Sequence, residues 1–371
     1  MDLGLTETQE LLKNAAREFL EHECTEAHVR AMEEDERGYS PAMWRQMAEQ
    51  GWQGLLIPPE HGGAGLGFTD LVVLIEEMGR ALLPGPFIPT VLGGAVPILE
   101  AGSDAQRRDH LPRIASGESI FTLALTEPSA RFDEPGVQTR AEVAGTQVTL
   151  TGTKLFIADA QVADYLVVAG RSARGVTLAI VPARQPGVRI TPLSTIARDK
   201  QCEVVLDGAT GELLGVEGGG WPVLERVIDR YTVAECAYLV GLAQMDFEIT
   251  VDYAKERVQF GRPIGSFQAI QHKCAEMVTD VDGCRFITYK AAWALATGQP
   301  EAETRLAVHM AKAWTSEASR RVVAHGQQIH GGIGYTRDYK IQLFFRRQKR
   351  GEVAFGDADY HRELVARRIG V

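Results

Sequence analysis

A short glycine-rich segment near the C-terminus is the first feature of the sequence that could support chemistry. Gln328 and His330 precede the run Gly331-Gly332-Ile333-Gly334. Glycines let a backbone approach a phosphate or a flat ring closely, and glutamine and histidine can hydrogen-bond to such a ligand. The run follows a helical pattern and does not read GxGxxG, so it is not a dinucleotide-binding fingerprint. On local evidence alone, the end of a helix is the favoured interpretation.

Other common kinds of reactive site have no support in the sequence. The nine histidines include no HExxH motif and no closely spaced ligand group, so no metal site is expected. The sequence contains no GxSxG motif, which argues against a serine hydrolase. The five cysteines form no CxxC pair, so neither a disulfide framework nor a zinc site is predicted.

The elements that must position any site fall into three regimes along the chain. Residues up to about 118 have helical periodicity, and Thr6 followed by Gln9 predicts a capping box at the first helix. Short β-rich runs then follow at 121–125, 148–150, 165–168, 176–181 and 203–206. Their turn-rich spacing predicts an antiparallel sheet or barrel rather than βαβ units. Long helical patterns resume at Trp221 and continue to the end.

The composition is that of a globular protein without a nucleic-acid partner. The 371 residues are 24% charged and 45% hydrophobic, and 39 Lys and Arg against 49 Asp and Glu give a formal charge of −10. Binding to nucleic acid needs a basic face, which this acidic chain does not predict. No run of 18 apolar residues predicts a membrane span, and the N-terminus lacks a signal-peptide pattern. We therefore expect a cytoplasmic location.

Six motifs, taken in order, resemble the acyl-CoA dehydrogenase family over essentially the whole chain. They are Pro58-Pro59-Glu60-His61-Gly62-Gly63, Leu125-Thr126-Glu127-Pro128, Lys154-Leu155-Phe156-Ile157, Glu256-Arg257-Val258-Gln259-Phe260-Gly261 with Phe267-Gln268, Gln328-Ile329-His330-Gly331-Gly332-Ile333-Gly334-Tyr335, and Ala366-Arg367-Arg368. Each is weak alone, but their order and spacing are those of the family. The resemblance implies an α+β fold with an N-terminal α-helical domain (1–118), a middle antiparallel β-domain (119–220) and a C-terminal four-helix bundle (221–371).

The resemblance also implies FAD-dependent α,β-dehydrogenation of an acyl-CoA thioester. A carboxylate removes the α-proton while the β-hydrogen leaves as a hydride to the flavin. The α-proton is acidic enough only when the thioester carbonyl accepts preorganised hydrogen bonds, which in this family come from the flavin ribityl chain and one backbone N–H. The base works best when it is buried beside the thioester with a raised pKa. An electron-transferring flavoprotein is the electron acceptor that the resemblance implies.

Carried over residue by residue, the resemblance implies a cofactor site and one substrate contact. Thr126 matches a position that contacts the flavin ring, and Phe156 matches an aromatic residue that covers it. Further positions match contacts to the cofactor's pyrophosphate and adenosine, several of them made from a neighbouring subunit: Arg257, Gln259, Phe260, Gln268, Gln328, Gly331 and Gly332. Asp229 matches a position that contacts bound acyl-CoA. A site shared between subunits implies an oligomer, usually a dimer of dimers.

The departures from the family pattern concern the flavin pocket and the catalytic base. Ala130-Arg131-Phe132-Asp133 stands where the family usually has Ala-Gly-Ser-Asp, and Ala158 replaces a threonine that bonds near the flavin N5. An ungapped match back from Arg362 places Phe355-Gly356-Asp357 at the family's catalytic Glu-Gly-Thr. The alternative base position is Tyr231, so neither usual glutamate is present.

Nearby carboxylates are poor substitutes, and the catalytic residue is left unknown. Glu235 is one helical turn, about 5.4 Å, from Tyr231. Glu352 and Asp357 flank the C-terminal loop, at positions that the family uses for packing and cofactor contacts. A base displaced by one turn would be poorly placed for proton abstraction.

Four interpretations follow. The favoured one is a subunit of a heteromeric acyl-CoA dehydrogenase. The residues that depart from the family pattern belong to the part of the site that a chain provides for itself. The residues that match the pattern are largely those that a chain contributes to a neighbouring subunit's site. Similar bacterial complexes act on bulky acyl chains, including sterol side chains. The alternatives are a self-sufficient homotetramer with an unorthodox base, a flavin-dependent oxidase or monooxygenase of the same fold, and a protein with no active site of its own.

Overall fold

The computed structural model describes residues 4–371, in which helices precede and follow a β-sheet, as predicted. The helices before the sheet are α1 Glu7–Glu23, α2 Glu26–Glu34, α3 Pro41–Glu49, α4 Phe68–Arg80, α5 Phe87–Thr90, α6 Val96–Ala101 and α7 Asp104–Ala115. The predicted capping box begins α1: Gln9 N donates to Thr6 Oγ1 at 3.3 Å and Thr6 N donates to Gln9 Oε1 at 3.0 Å. A π-helical turn, Val91–Ala95, joins α5 to α6.

Seven strands form the sheet. They are β1 Phe121–Ala124, β2 Arg140–Ala144, β3 Gln147–Ala158, β4 Tyr165–Ser172, β5 Gly175–Pro182, β6 Val188–Leu193 and β7 Gln201–Leu214. The strand order is β1-β4-β2-β3-β7-β5, with β6 beside β7 and β5 also beside β4, so the pairings form a closed circuit. Alternating burial along β3 and β7 places one face of these strands in the core.

One edge of this sheet corrects the prediction of a wholly antiparallel domain. β1 pairs with β4 in parallel, from Phe121 beside Tyr165 to Ala124 beside Val168, and β2 meets β4 in parallel at a single position. A hairpin forces antiparallel pairing, whereas strands joined by a long connection are not so constrained. β1 and β4 are separated by two other strands in the chain, which is why local spacing did not indicate their direction.

Long helices and one small hairpin follow the sheet. They are α8 Gly220–Glu256, the hairpin strands β8 Val258–Gln259 and β9 Arg262–Pro263, then α9 Gln268–Ala296, α10 Glu301–His330, α11 Ile341–Val353 and α12 Ala358–Ile369. Two glycines permit a close crossing of α4 and α8: a Cβ built on Gly241 would lie 1.8 Å from Glu76 O, and one on Gly79 would lie 2.0 Å from Tyr238 O. Any larger residue at either position would force these helices apart.

The described residues form two compact units. We call one the helical unit, comprising the described residues up to Arg30, with Phe68–Leu83 and Thr232–Val371, and the other the sheet unit, comprising Ala31–Gly67 and Pro84–Tyr231. The division over 1–118, 119–220 and 221–371 stays a prediction. Among the helices of residues 4–371, none combines the length and apolar character needed to cross a membrane.

Candidate functional site

In the sheet unit, the end of β1 and a bulge in β3 bring Thr126 and Phe156 close together. Thr126 is half-buried, and its carbonyl accepts a hydrogen bond from Leu155 N at 2.9 Å. Phe156 lies in the bulge opposite β7, with φ at +56° and 58% of its surface exposed. Bulges re-aim side chains and recur beside active sites, and a positive φ is uncommon for an aromatic residue. The unit therefore presents an exposed aromatic ring beside Thr126, an arrangement that suits a flat ligand.

A buried ion pair fixes the backbone next to Thr126. Lys154 Nζ donates to Glu127 Oε1 at 2.7 Å and to Leu125 O at 3.2 Å, and Glu127 also accepts from the backbone N–H groups of Gln138 and Thr139, each at 2.9 Å. Burial lowers the pKa of Lys154 to about 8, although Glu127 opposes the shift. Burial alone would raise the pKa of Glu127, but the charge of Lys154 and these hydrogen bonds lower it. Both residues belong to motifs that the sequence shares with the family, but their pairing was not predicted.

The segment Ala130-Arg131-Phe132-Asp133, which the resemblance aligns with the family's Ala-Gly-Ser-Asp, is held by local hydrogen bonds. Arg131 Nε donates to Asp133 Oδ1 at 2.9 Å, and the same oxygen accepts from Gly136 N at 3.1 Å. The hydrogen bonds from Arg131 lower the pKa of Asp133. This segment thus forms an ion pair at the surface of the sheet unit, at positions where the resemblance predicts two small residues.

The first turns of α8 contribute two buried residues to the sheet unit. Asp229 and Tyr231 are each 5% exposed. A Cβ built on Gly93, in the π-helical turn, would lie 3.3 Å from Tyr231 Oη and 2.8 Å from Leu123 N. The phenol therefore packs closely against this turn. A tyrosine hydroxyl is a far weaker base than a carboxylate, so Tyr231, at the predicted alternative base position, is poorly suited to proton abstraction.

In the helical unit, the β8–β9 hairpin carries an aromatic residue that is almost fully exposed. Phe260 and Gly261 form its turn with φ at +53° and +81°, the pattern of a type I′ turn. Phe260 is 92% exposed, and its ring meets the Phe267 ring edge-on at 6.0 Å. Arg257 and Gln259 are exposed on the same hairpin, and no carboxylate of residues 4–371 pairs with Arg257. Strain and exposure in one aromatic residue favour a binding role.

The end of α10 lies next to this hairpin. The predicted helix stop is confirmed at Gly331, where φ is +62°. The Tyr253 and His330 rings stack at 4.3 Å, and Ile264 packs in the same cluster as Ile329. Gln328 and Gly332 are exposed, and a Cβ built on either Gly331 or Gly332 would meet nothing within 4 Å, so this backbone is open to a ligand. Gln268 is exposed at the start of α9, one residue after Phe267.

The three carboxylates considered as substitute bases all have structural partners. Glu235 is 1% exposed and accepts a hydrogen bond from Arg350. Glu352 accepts from Gln348 Nε2 at 2.8 Å, and Asp357 caps α12 by accepting from Tyr360 N at 2.9 Å. The helical unit thus uses these carboxylates to hold its own elements, and the catalytic base stays unassigned.

Comparison with known proteins covers the whole chain. Its residues match the family models of acyl-CoA dehydrogenases for the N-terminal domain (6–118), the middle domain (122–209) and the C-terminal domain (218–370). The probable acyl-CoA dehydrogenase YngJ of Bacillus subtilis (strain 168) is 32% identical over 384 residues, which cover 100% of both chains.

Two solved structures are similar over nearly their full lengths. The Tcur3481-Tcur3483 steroid acyl-CoA dehydrogenase variant is 32% identical, with a TM-score of 0.90, and the match covers 100% of this chain and 99% of that one. The ChsE4-ChsE5 complex from Mycobacterium tuberculosis is 28% identical, with a TM-score of 0.92 and the same coverage. This chain belongs to the acyl-CoA dehydrogenase family, whose FAD-dependent members are oxidoreductases that act on acyl-CoA thioesters.

Proposed function

We propose that this chain is one subunit of a heteromeric acyl-CoA dehydrogenase in which a paralogous partner supplies the catalytic base. One contrast carries the proposal. The hairpin offers an exposed, strained Phe260 and, near it in the chain, Arg257, with which no carboxylate of the described residues pairs. Glu235, Glu352 and Asp357, in contrast, all have partners within this chain. These surface groups can therefore contact a ligand, whereas none of the three carboxylates considered as substitute bases is free for proton abstraction.

The residues present fit FAD. In the helical unit, Arg257 and the open backbone at Gly331 and Gly332 suit a pyrophosphate, and Phe260 suits the adenine ring. In the sheet unit, Thr126 and Phe156 suit a flavin ring. When bound, FAD accepts the hydride that leaves the β-carbon of the substrate. This chain's part is to bind and orient the cofactor, with Gln259, Gln268 and Gln328 as further contacts and Asp229 as a contact to acyl-CoA.

An apolar face on the helical unit supports assembly with other subunits. Phe286 on α9 is 57% exposed, and Met310 and Trp314 on α10 are 37% and 45% exposed. Phe286 and Met310 line one groove between the two helices. Large apolar side chains grouped on one surface are typical of subunit interfaces. We infer that this face is buried in a tetramer, arranged as a dimer of dimers.

The proposal includes a substrate class and an electron acceptor. We propose a bulky acyl-CoA, such as one with a sterol side chain, because a steroid acyl-CoA dehydrogenase is among the similar structures. The acceptor that we propose is an electron-transferring flavoprotein, which follows from the family resemblance alone.

Co-expression tests where the base lies. The partner is a paralogue that retains Ala-Gly-Ser-Asp and a glutamate base. We expect the mixed complex to dehydrogenate an acyl-CoA, and replacing the partner's glutamate with glutamine to abolish turnover. Glu235→Gln in this chain is the matched control and should leave turnover within a few-fold of wild type. Turnover that survives the partner's substitution and is lost with Glu235→Gln would contradict the proposal.

Arg257→Ala tests whether this chain lends cofactor contacts to its partner. Loss of one charge-assisted hydrogen bond to a pyrophosphate should weaken FAD retention in the mixed complex about tenfold. The measurement is the flavin that remains bound after gel filtration and after equilibrium dialysis. Arg189→Ala, an exposed arginine on β6, is the control and should leave FAD retention unchanged. Equal retention in both variants would exclude Arg257 from the cofactor site.

A further inference from the structure

One face of α10 holds the end of α11 through a buried lysine. Lys312 is 0% exposed, and its ammonium donates to Gly351 O at 2.6 Å, to Glu352 O at 3.0 Å and to Ser316 Oγ at 3.0 Å. The Ser316 hydroxyl also donates to Glu352 O, at 3.3 Å. The last carbonyls of a helix have no partner within it and attract a cation. Lys312 therefore caps α11 from a neighbouring helix.

Two buried histidines hold the loop that follows α11. His361 Nε2 lies 3.0 Å from Phe355 O, and His361 Nδ1 lies 3.1 Å from His309 Nδ1. A carbonyl can only accept, so His361 donates from Nε2, and as a neutral ring it accepts at Nδ1. His309 must then donate from its own Nδ1. The side chains thus form a chain of hydrogen bonds from α10 through α12 to the Phe355 carbonyl.

The loop between α11 and α12, residues 354–357, has a backbone that needs such support. Phe355 has φ at +57°, which is unfavourable for an aromatic residue. Gly356 has φ at +103°, and a Cβ built on it would lie 2.3 Å from the Tyr360 ring. Phe355 and Gly356 carry no titratable side chain, so what these two residues can offer a polar ligand comes from their backbone. Small displacements of such groups are costly in catalysis.

We propose that His361 and Lys312 are positioning residues, which hold the backbone of residues 354–357 in the geometry needed for acyl-CoA turnover, and that His309 orients His361. This inference rests on the proposed function, in which this chain contacts acyl-CoA, and on the sequence match of Phe355-Gly356-Asp357 to the family's catalytic Glu-Gly-Thr. Neither residue is assigned contact with substrate or cofactor. Each acts through a backbone carbonyl in or next to the loop, Lys312 from the α11 side and His361 from the α12 side.

The test combines amide hydrogen exchange with kinetics, both in the mixed complex. His361→Ala should raise the exchange rate of amides in peptides covering 354–357 about tenfold, the effect of losing one buried hydrogen bond, and leave β4 peptides unchanged. It should lower kcat by a similar factor and change the KM for acyl-CoA less than twofold. His361→Gln, whose amide can still donate to Phe355 O, should restore most of both values.

Three results would contradict either the positioning role of His361 or the proposed function. Unchanged loop exchange in His361→Ala, or faster exchange with an unchanged kcat, would overturn the positioning role. A wild-type complex that does not dehydrogenate acyl-CoA would contradict the proposed function instead, and the exchange data would then decide whether His361 holds the loop. Ser316→Ala removes one contact to Glu352 O and one partner of Lys312, and it serves as a milder variant should His361→Ala fail to fold.

Discussion

Glu235, four residues after the predicted alternative base position Tyr231, is held in an ion pair within the helical unit. Its side chain is 1% exposed, Oε2 accepts from Arg350, and Oε1 has no hydrogen-bond partner within residues 4–371. The pair joins α8 to α11 inside the helical unit. Removing one partner of a buried ion pair leaves the other charge poorly compensated, which is more costly than losing a surface pair.

We predict that Glu235→Gln lowers the free energy of unfolding by about 1–3 kcal/mol. A urea titration followed by circular dichroism measures this change. The control is Glu363→Gln, at an exposed pair with Arg367 on α12, which should change stability by less than about 0.5 kcal/mol. Unchanged stability together with lost turnover in the mixed complex would identify Glu235 as the base after all.

Single residues of the candidate site were easier to locate from sequence than their partners. The family resemblance singled out Thr126 and Phe156, and in the structure Leu155 N, next to Phe156, donates to Thr126 O. The pairs Lys154–Glu127 and His309–His361 were not predicted, since their members are 27 and 52 residues apart in the chain. Pairing at such separations depends on tertiary packing, and no local periodicity reports it.

At the element scale, the β8–β9 hairpin carries an unfavourable residue in its turn. Both central positions of a type I′ turn need a positive φ, for which glycine, asparagine and aspartate are suited and phenylalanine is not. Phe260 occupies the first of them at φ +53°. Local strain that persists in an exposed aromatic side chain is consistent with selection for binding rather than for stability.

Phe260→Gly should therefore stabilise the hairpin and weaken cofactor binding. Relief of the positive φ should raise the free energy of unfolding by about 0.5–1 kcal/mol, while the loss of the ring should lower FAD retention in the mixed complex several-fold. Thermal unfolding and bound-flavin content measure the two effects. Gly261→Ala, where φ is +81°, is the matched control and should destabilise the turn. A Phe260→Gly complex that retains FAD fully would exclude Phe260 from the cofactor site.

The His309–His361 pair should make stability depend on pH. Burial lowers the pKa of His309 to about 3, helped by His361, Arg368 and Arg305, and burial with Lys312 lowers that of His361 to about 4, opposed by its bond to Phe355 and by Asp357. Both values lie below the ordinary 6.5, so between these limits the unfolded chain binds more protons than the folded one. Their contribution to stability is complete above pH 6.5 and is lost as the pH falls towards 4 for His361 and towards 3 for His309.

Urea titrations at pH 7 and pH 5 measure this loss. We expect about 2 kcal/mol for each histidine over that interval. The slope of the unfolding free energy against pH reports the number of protons taken up on unfolding. The double variant His309→Gln, His361→Gln should lower that number by up to two. An unchanged slope would mean that the two histidines titrate alike in the folded and unfolded chain.

Predictions for whole elements succeeded where hydrophobic patterns were strong. Long helices such as α8 and buried strands such as β5 were located from composition and periodicity. β2 and β6 were not predicted, because β2 consists of charged and small residues, and β6 has no buried residue and contains a proline. The parallel partner of β1 was also missed, since strand direction across a long connection depends on the assembled sheet.

At the scale of the whole molecule, what the chain retains and what it lacks fit a shared site. Exposed contacts gather on the β8–β9 hairpin and the end of α10, and an apolar face lies between α9 and α10. The resemblance predicts that the segment 130–133 and both base positions depart from the family pattern. A chain with exposed cofactor contacts but without a base of its own would complement a partner that keeps a base and a flavin pocket.

The flavin content of the chain, purified alone and in complex with its paralogue, tests whether the cofactor site depends on a partner. Visible absorbance, with FAD counted per protein chain, gives the answer. The account predicts little or no flavin with the chain alone, and a mixed complex whose flavin is bleached by an acyl-CoA. One FAD per chain in the protein purified alone, bleached by an acyl-CoA without any partner, would contradict it and establish a self-sufficient dehydrogenase.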